Sequence, residues 1–207
     1  AARCAHALHG RTFVLTTTLR ALEIVAAALQ AEADLIGASL DILTQGSQPR
    51  RALLQQFGDG HGKVLIGSHS FWEGIDMPGD VLQCVLIDKL PFPPPNDPLV
   101  EARVKQLQAQ GRNAFDEVHV AEAAVSLKQG AGRLIRSETD HGLLVICDPR
   151  LRQMGYGRRL QAALPPMGVL SEETEALDWL AMLAGMRESN AATRSSTTTL
   201  PASRWHP

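Results

Sequence analysis

The chain has 207 residues, 44% of them hydrophobic and 20% charged, with a formal net charge of −2. This is the profile of an ordinary globular protein, long enough for one α/β domain whose sheet is buried on both faces. It excludes a disordered polymer and supplies no overall field that would gather nucleic acid, so any such contact must be local.

Taken in chain order, Thr12–Thr17 is a β-rich run ending in hydroxyls. It feeds a predicted helix over Leu19–Ala33, where Leu22, Val25, Ala26 and Leu29 recur at helical spacing. Leu40–Leu43 is a second predicted strand, and Pro49 opens a short helix at Arg50–Phe57 that glycines 58, 60 and 62 close. Lys63–Gly67 and Val81–Leu90 are predicted strands three and four. Helical stretches follow at Pro98–Gln110 and Ala114–Gln129, and Gly142–Cys147 is a fifth strand. A helix near Arg158–Ala163, a Pro165-Pro166 stop and a last helix at about Glu172–Leu183 complete the ordered part. We expect one domain over residues 1–187 and a disordered Ser/Thr-rich tail over 188–207.

Continuous apolar strands separated by helices predict a three-layer α/β fold with a mainly parallel sheet. In such sheets function gathers at the carboxyl ends of the strands. Here those ends carry Thr16-Thr17-Thr18, Ser68-His69-Ser70, Asp88-Lys89 and Asp148.

No apolar run approaches the ~18 residues needed to span a bilayer, and no signal peptide is recognisable. Cys4, Cys84 and Cys147 are odd in number and far apart, at no metal-site spacing. Two of them lie in apolar strand-like runs, so we expect core thiols and a reducing cytoplasm. The chain begins Ala-Ala-Arg rather than Met, and we expect a fragment of something longer.

Residues 129–136 read Gln-Gly-Ala-Gly-Arg-Leu-Ile-Arg. On a helix, a spacing of three puts Arg133 and Arg136 on one face, with Leu134 and Ile135 turned into a core. The preceding glycine would let the backbone approach a neighbour closely. A phosphate-facing arginine pair is one reading, since the guanidinium fork matches phosphate oxygens. An amphipathic helix with two solvated arginines is the other.

The loop Gly67–Gly79 (GSHSFWEGIDMPG) leaves a strand with Glu73, Asp76, an aromatic pair and Gly74. It reads as a site loop in which Gly74 permits an unusual backbone angle and Asp76 receives hydroxyls or a metal-bound water. At least one of Phe71 and Trp72 is expected to be a core plug, and Glu73 could simply be solvated. The LPFPPPNDP run over 90–98 is expected to be a rigid connector rather than a partner motif. Gly58–Lys63 (GDGHGK) lacks both the leading Gly and the Ser or Thr after Lys63 that a phosphate loop requires, so it reads as a turn. His69 and His119 lie near these features without a nucleophile that would make a hydrolytic triad.

With these residues assembled, the chain resembles the second RecA-like motor domain of superfamily 2 helicases of the XPD/DinG branch, in the DinG and YoaA group. The resemblance covers about Arg11 to Pro166. Thr12–Leu22 is similar to the family's motif IV, and Gly67–Asp76 to motif V with its Phe-Trp-Glu-Gly-Ile-Asp signature. Lys89–Arg103 resembles a linker of this branch, and Gln129–Arg136 resembles motif VI. Asp148-Pro149-Arg150 and Tyr156-Gly157 resemble the segment after it.

The resemblance implies a RecA-like, P-loop-NTPase-like fold without its own phosphate loop. It further implies ATP and Mg²⁺ shared with an N-terminal RecA-like domain of the same parent protein. Arg133 and Arg136 would contact the γ-phosphate as arginine fingers, with Gln129 and Gly132 in the same cleft. Glu73, Gly74 and Asp76 would relay nucleotide state to the DNA path. Thr16, Thr17 and Ser70 would donate to the phosphates of single-stranded DNA. A 4Fe-4S cluster, where relatives carry one, would belong to the missing half. The expected function is therefore the C-terminal motor half of an ATP-dependent DNA helicase, inactive as an isolated chain. A non-catalytic module binding single-stranded DNA or protein is the alternative, and a self-contained nucleotide hydrolase of another kind is a third possibility.

Overall fold

The computed structural model describes residues 1–59, 61–68, 71, 81–135 and 140–196, with side chains through Met186. Its elements in order are α1 (Ala2–Ala7), β1 (Thr12–Thr16), α2 (Leu19–Leu35), β2 (Asp41–Thr44), α3 (Arg50–Gly58), β3 (Lys63–Ser68), β4 (Cys84–Ile87), α4 (Pro98–Ala109) and a π-helical turn (Phe115–Val120). This turn runs straight into α5 (Ala121–Leu134), which is followed by β5 (Leu143–Ile146), α6 (Arg150–Gln153), α7 (Gly157–Ala163) and α8 (Glu173–Ser196).

The five strands form one sheet in the order β2-β3-β1-β4-β5. Every pairing is parallel, with Thr12 opposite both Val64 and Cys84. Successive strand side chains point to opposite faces, and both faces are covered. Phe13, Leu15, Leu65, Val85 and Ile87 pack with Leu53 and Phe57 of α3, Leu127 and Leu134 of α5 and Leu160 of α7. The intervening Val14, Val64, Ile66, Cys84 and Leu86 pack with α1, with Leu22 and Leu29 of α2 and with Leu180 and Leu183 of α8. A parallel sheet needs both layers because its strands are apolar on both sides.

The layers follow from the crossovers. From β1 the chain moves two places toward one edge to reach β2, then turns back to β3 and on past β1 to β4. Right-handed connections running in opposite directions put α2 on one face and α3 on the other. The connections from β1 and β4 diverge, so the switch point of the sheet lies at the carboxyl ends of those two strands.

Several expectations need correction. The fourth strand is four residues long rather than ten. Leu82 and Leu90 are buried at 1% and 2% exposure but lie outside the ladder, because an apolar run records burial and not pairing. The predicted helix over 114–129 is a π-helical turn followed by an α-helix. Helix α1 and the four-residue α6 are too short to show a period, and neither was predicted. The last helix continues to Ser196, past the expected end at Leu183 and into the first residues of the expected tail. The remainder, 197–207, lies outside the described residues.

Candidate functional site

Helix α5 buries Ala123, Leu127, Gly130, Ala131 and Leu134 along one stripe. Gln129 and Gly132 are exposed and Arg133 is half-buried. The helix stops at Leu134 because Ile135 turns to extended backbone at φ −123° and ψ 114°. The Leu134 side chain at that stop lies against Gly142, just before β5, where a Cβ would overlap it.

This end point overturns the helical geometry expected for the arginine pair. A spacing of three places Arg133 and Arg136 on one face only if the helix runs through both, and it ends before Arg136. Nor is Ile135 a core anchor, since it is 39% exposed. Gly132 has nothing within 4 Å of where a Cβ would sit, so no close backbone approach occurs there. Arg136 itself lies outside the described residues, as do Ser70, Glu73, Gly74 and Asp76, and also His69 and Trp72.

Because α5 runs antiparallel to the strands, its last turn sits at the amino edge of β4 and β5, beside Gly142 and the Gln83 carbonyl. Arg133 is therefore on the opposite edge of the sheet from the hydroxyls that end β1. The strands separate these edges by roughly 15 Å, at about 3.3 Å per residue. Gln129, one turn earlier, lines an open groove of about 720 Å³ between α4 and α5 together with Arg103, Gln106, Val125 and Ser126.

At the carboxyl edge, Thr18 caps α2 by accepting from the Ala21 N–H at 3.1 Å. Thr17 precedes it, half-exposed at the positive end of the 17-residue helix. Thr16 is different from the expectation. It is 3% exposed, and its hydroxyl lies 3.2 Å from the Thr18 carbonyl and 3.4 Å from the Gly67 carbonyl. In this arrangement the Thr16 hydroxyl serves the strand ends rather than facing a phosphate.

Asp148 is likewise a structural group. It is 6% exposed, accepts the Leu90 N–H at 2.9 Å, and is bracketed by the Arg150 guanidinium, with Nη2 at 2.6 Å. The Arg150 hydrogen bonds, helped by the Leu90 and Arg150 N–H groups and opposed by burial, hold its carboxyl at about 2. The proline connector is anchored as well. Phe92 packs 5.5 Å from Tyr156 and 5.8 Å from Phe115, and Arg150 lies 5.4 Å over its ring. His119 stacks on Phe115 at 5.6 Å. Asp97 ends the connector by capping α4 through the Leu99 and Val100 N–H groups.

Phe71 is the expected core plug, 4% exposed and packed edge-on to Phe13 at 6.5 Å. A Cβ at Gly67 would sit 3.0 Å from the Phe71 Cβ and 3.2 Å from the Phe13 ring, so a side chain there would have to push the plug aside by a few tenths of an ångström. Two residues that no motif flagged also reach this edge: Gln45, just past β2, and Arg50, at the start of α3. The signal that could have found Gln45 is its place at a strand's carboxyl end, the rule that singled out Thr16.

The thiols divide by environment. Cys84 is fully buried and Cys4 is half-buried on the same core. Cys147 is exposed at the end of β5, so it is not the core thiol expected of it.

The helicase C-terminal domain family profile matches residues 1–167. An ATP-dependent DNA helicase YoaA from Escherichia coli is 42% identical over 174 residues, covering 84% of this chain and 27% of that protein. An ATP-dependent helicase DinG from Mycobacterium tuberculosis is 37% identical over 175 residues, covering 84% of this chain and 26% of that protein. The chain thus spans about a quarter of the length of these curated relatives. The solved structure of S. tokodaii Xpd4 superposes with a TM-score of 0.51 at 18% identity, covering 76% of this chain and 30% of that one, a likeness of fold.

Proposed function

This chain belongs to the helicase C-terminal domain family, and on that premise we propose that it is the C-terminal motor half of an ATP-dependent DNA helicase. The supporting observation is the separation of the candidate groups, with Gln129, Gly132 and Arg133 around the end of α5 and Thr17 at the head of α2 on the other edge. A motor that converts nucleotide state into movement on DNA needs its two contacts apart and joined by a rigid body, and a parallel sheet is such a body.

In this reading ATP and Mg²⁺ sit in the cleft made with an N-terminal RecA-like domain, which holds the phosphates. The turn at residues 58–63 between α3 and β3 does not meet the phosphate-loop pattern. Arg133 and Arg136 reach across as arginine fingers and stabilise the charge that spreads over the γ-phosphoryl oxygens during transfer to water. Gln129 and Gly132 face the same cleft, and Glu73, Gly74 and Asp76 relay its closure. Thr17 and Ser70 donate to backbone phosphates of single-stranded DNA, contacts that position a strand without reading its sequence. Any 4Fe-4S cluster belongs to the other half, since the three cysteines of this chain are dispersed over α1, β4 and the residue after β5. The compartment is the bacterial cytoplasm.

The test is hydrolysis by the parent protein. Arg133→Ala and Arg136→Ala are each expected to lower DNA-stimulated ATP turnover by roughly 10³-fold or more while leaving nucleotide binding largely intact. Unchanged turnover would remove the arginines from the mechanism. The isolated chain is expected to hydrolyse nothing. Titrating it with labelled single-stranded DNA at several salt concentrations tests the non-catalytic alternative, whose phosphate contacts predict a salt-dependent affinity.

A further inference from the structure

The connection between Ser68 and Cys84 carries the predicted coupling residues and joins the carboxyl edge of β3 to the amino edge of β4. Its first anchored residues, Ser68 and Phe71, are held by side chains from a corner of the fold outside the motifs quoted above. The backbone of Gln45 extends the parallel ladder one step beyond β2, its N–H donating to the Ile66 carbonyl at 2.9 Å. This brings its side chain alongside the end of β3. There the Gln45 Oε1 accepts both the Ser68 N–H at 2.7 Å and the Ser68 hydroxyl at 2.9 Å.

Five residues after Gln45, Arg50 opens α3 with its guanidinium 5.1 Å over the Phe71 ring. Its Nη2 donates to the Phe71 carbonyl at 3.3 Å. Phe71 is thus covered by Arg50, packed edge-on to Phe13 and seated on Gly67. From β1, on the other side of β3, the Thr16 hydroxyl reaches the Gly67 carbonyl. Residues 67, 68 and 71 are therefore clamped from the β2–α3 corner and from β1 at once.

Resting on the helicase reading above, we propose that Gln45 and Arg50 are positioning residues of the motor. They act by tying Ser68 and Phe71, the described residues that end and follow β3, to the β2–α3 corner. A misplacement of about 1 Å at such a point can cost up to about a hundredfold in rate without touching the reacting atoms. Neither side chain contacts nucleotide or DNA in this scheme, so its loss slows turnover and leaves nucleotide affinity alone. The chemistry of the two contacts also separates positioning from mere bulk. Glutamate keeps an oxygen able to accept both Ser68 donors, whereas alanine keeps none. Lysine keeps a cation over Phe71 but loses the planar fork.

The experiment is steady-state ATP hydrolysis by the full-length parent protein with and without single-stranded DNA, alongside the thermal midpoint of each variant. Gln45→Ala and Arg50→Ala are expected to lower the DNA-stimulated kcat by about ten- to a hundredfold with KM for ATP unchanged, and Gln45→Glu to recover most of that loss. Parental kcat in both alanine variants overturns the proposal, as does a Gln45→Glu variant as slow as Gln45→Ala. If the alanine variants fail to fold, the conservative pair decides. An active Gln45→Glu beside a slowed Arg50→Lys with unchanged KM supports the proposal, and full activity in Arg50→Lys overturns the role of the Arg50 fork. Absence of ATP turnover in the unsubstituted parent would instead overturn the helicase reading itself.

Discussion

Asp148 accepts the backbone N–H of Leu90 at 2.9 Å, tying the end of β5 to the first residue of the proline-rich connector that leaves β4. The same carboxylate receives the Arg150 backbone N–H and its guanidinium. One side chain thus joins two adjacent strand ends and the helix that follows them. It is an acid at a strand's carboxyl end whose hydrogen-bonding capacity goes to the fold.

This tie predicts an acid-sensitive contribution to stability. The Asp148 carboxyl falls from 3.8 to about 2 on folding. A depressed folded value means the stabilisation is complete above the unfolded value and is lost as pH falls toward 2. Asp148→Asn is expected to cost about 2 kcal/mol at neutral pH, and the gap between the two proteins should shrink as pH falls below about 4. Urea unfolding at a series of pH values measures it, and a gap independent of pH would contradict the assignment.

The connector is anchored by Phe92, whose ring meets Phe115, Tyr156 and the Arg150 guanidinium. Removing a ring with those contacts costs about 3 kcal/mol. Phe92→Ala should lower the thermal midpoint by several degrees, whereas Phe92→Leu, which retains most of the apolar volume, should lose less. Equal losses would mean that the retained apolar volume contributes nothing, and an unchanged midpoint in Phe92→Leu would mean that the aromatic geometry contributes nothing.

The last residue of α5, Leu134, packs against Gly142. A methyl group there would meet the Leu134 side chain and approach the Gln83 carbonyl at 3.0 Å, so one of these groups must shift. Gly142→Ala is expected to cost about 1–3 kcal/mol through overpacking, and Leu134→Ala in the same protein should restore part of it. Additive losses in a double-mutant cycle would show that the two positions do not meet.

Cys84 donates its S–H to the Cys4 sulfur, which lowers the Cys4 thiol from 9.0 to about 7, while that hydrogen bond and full burial push Cys84 up. Alkylation of Cys4 by iodoacetamide should therefore show a midpoint near neutrality, and Cys84→Ala should move it back toward 9.0. Cys84 should stay unlabelled until the protein unfolds. A Cys4 midpoint indifferent to Cys84→Ala would rule out the thiol–thiol contact.

Much of the layered fold was legible because its signals are local. The apolar runs at β1 and β3 mark buried strands, and the run at β5 marks a half-buried edge strand. The Leu22–Leu29 stripe marks the buried side of α2, and Pro49 marks the start of α3. What escaped was whatever lacks a period or is decided by a distant partner. The six-residue α1 is too brief for a stripe, and the π-helical turn at Phe115–Val120 departs from the period that a helix search assumes. The apolar run Val81–Leu90 suggests one long strand, but only Cys84–Ile87 pairs, and Leu82 and Leu90 are buried outside the ladder. In the candidate site, the end of α5 removed the shared helical face assigned to Arg133 and Arg136. Thr16, chosen for its position, spends its hydroxyl on neighbouring carbonyls.

The amino-acid sequence by itself determined that this is a parallel α/β layer structure and in what order its motifs run along it. Alternation, apolar runs and helix breakers act over a few residues, so they can be read in a few residues. Only the tertiary structure decided which edge of the sheet receives each motif. It also decided that Leu134 packs against Gly142 and that Gln45 holds Ser68 from 23 positions away. Strand order and register are set by backbone pairing between distant segments, and no local window of the chain contains that information.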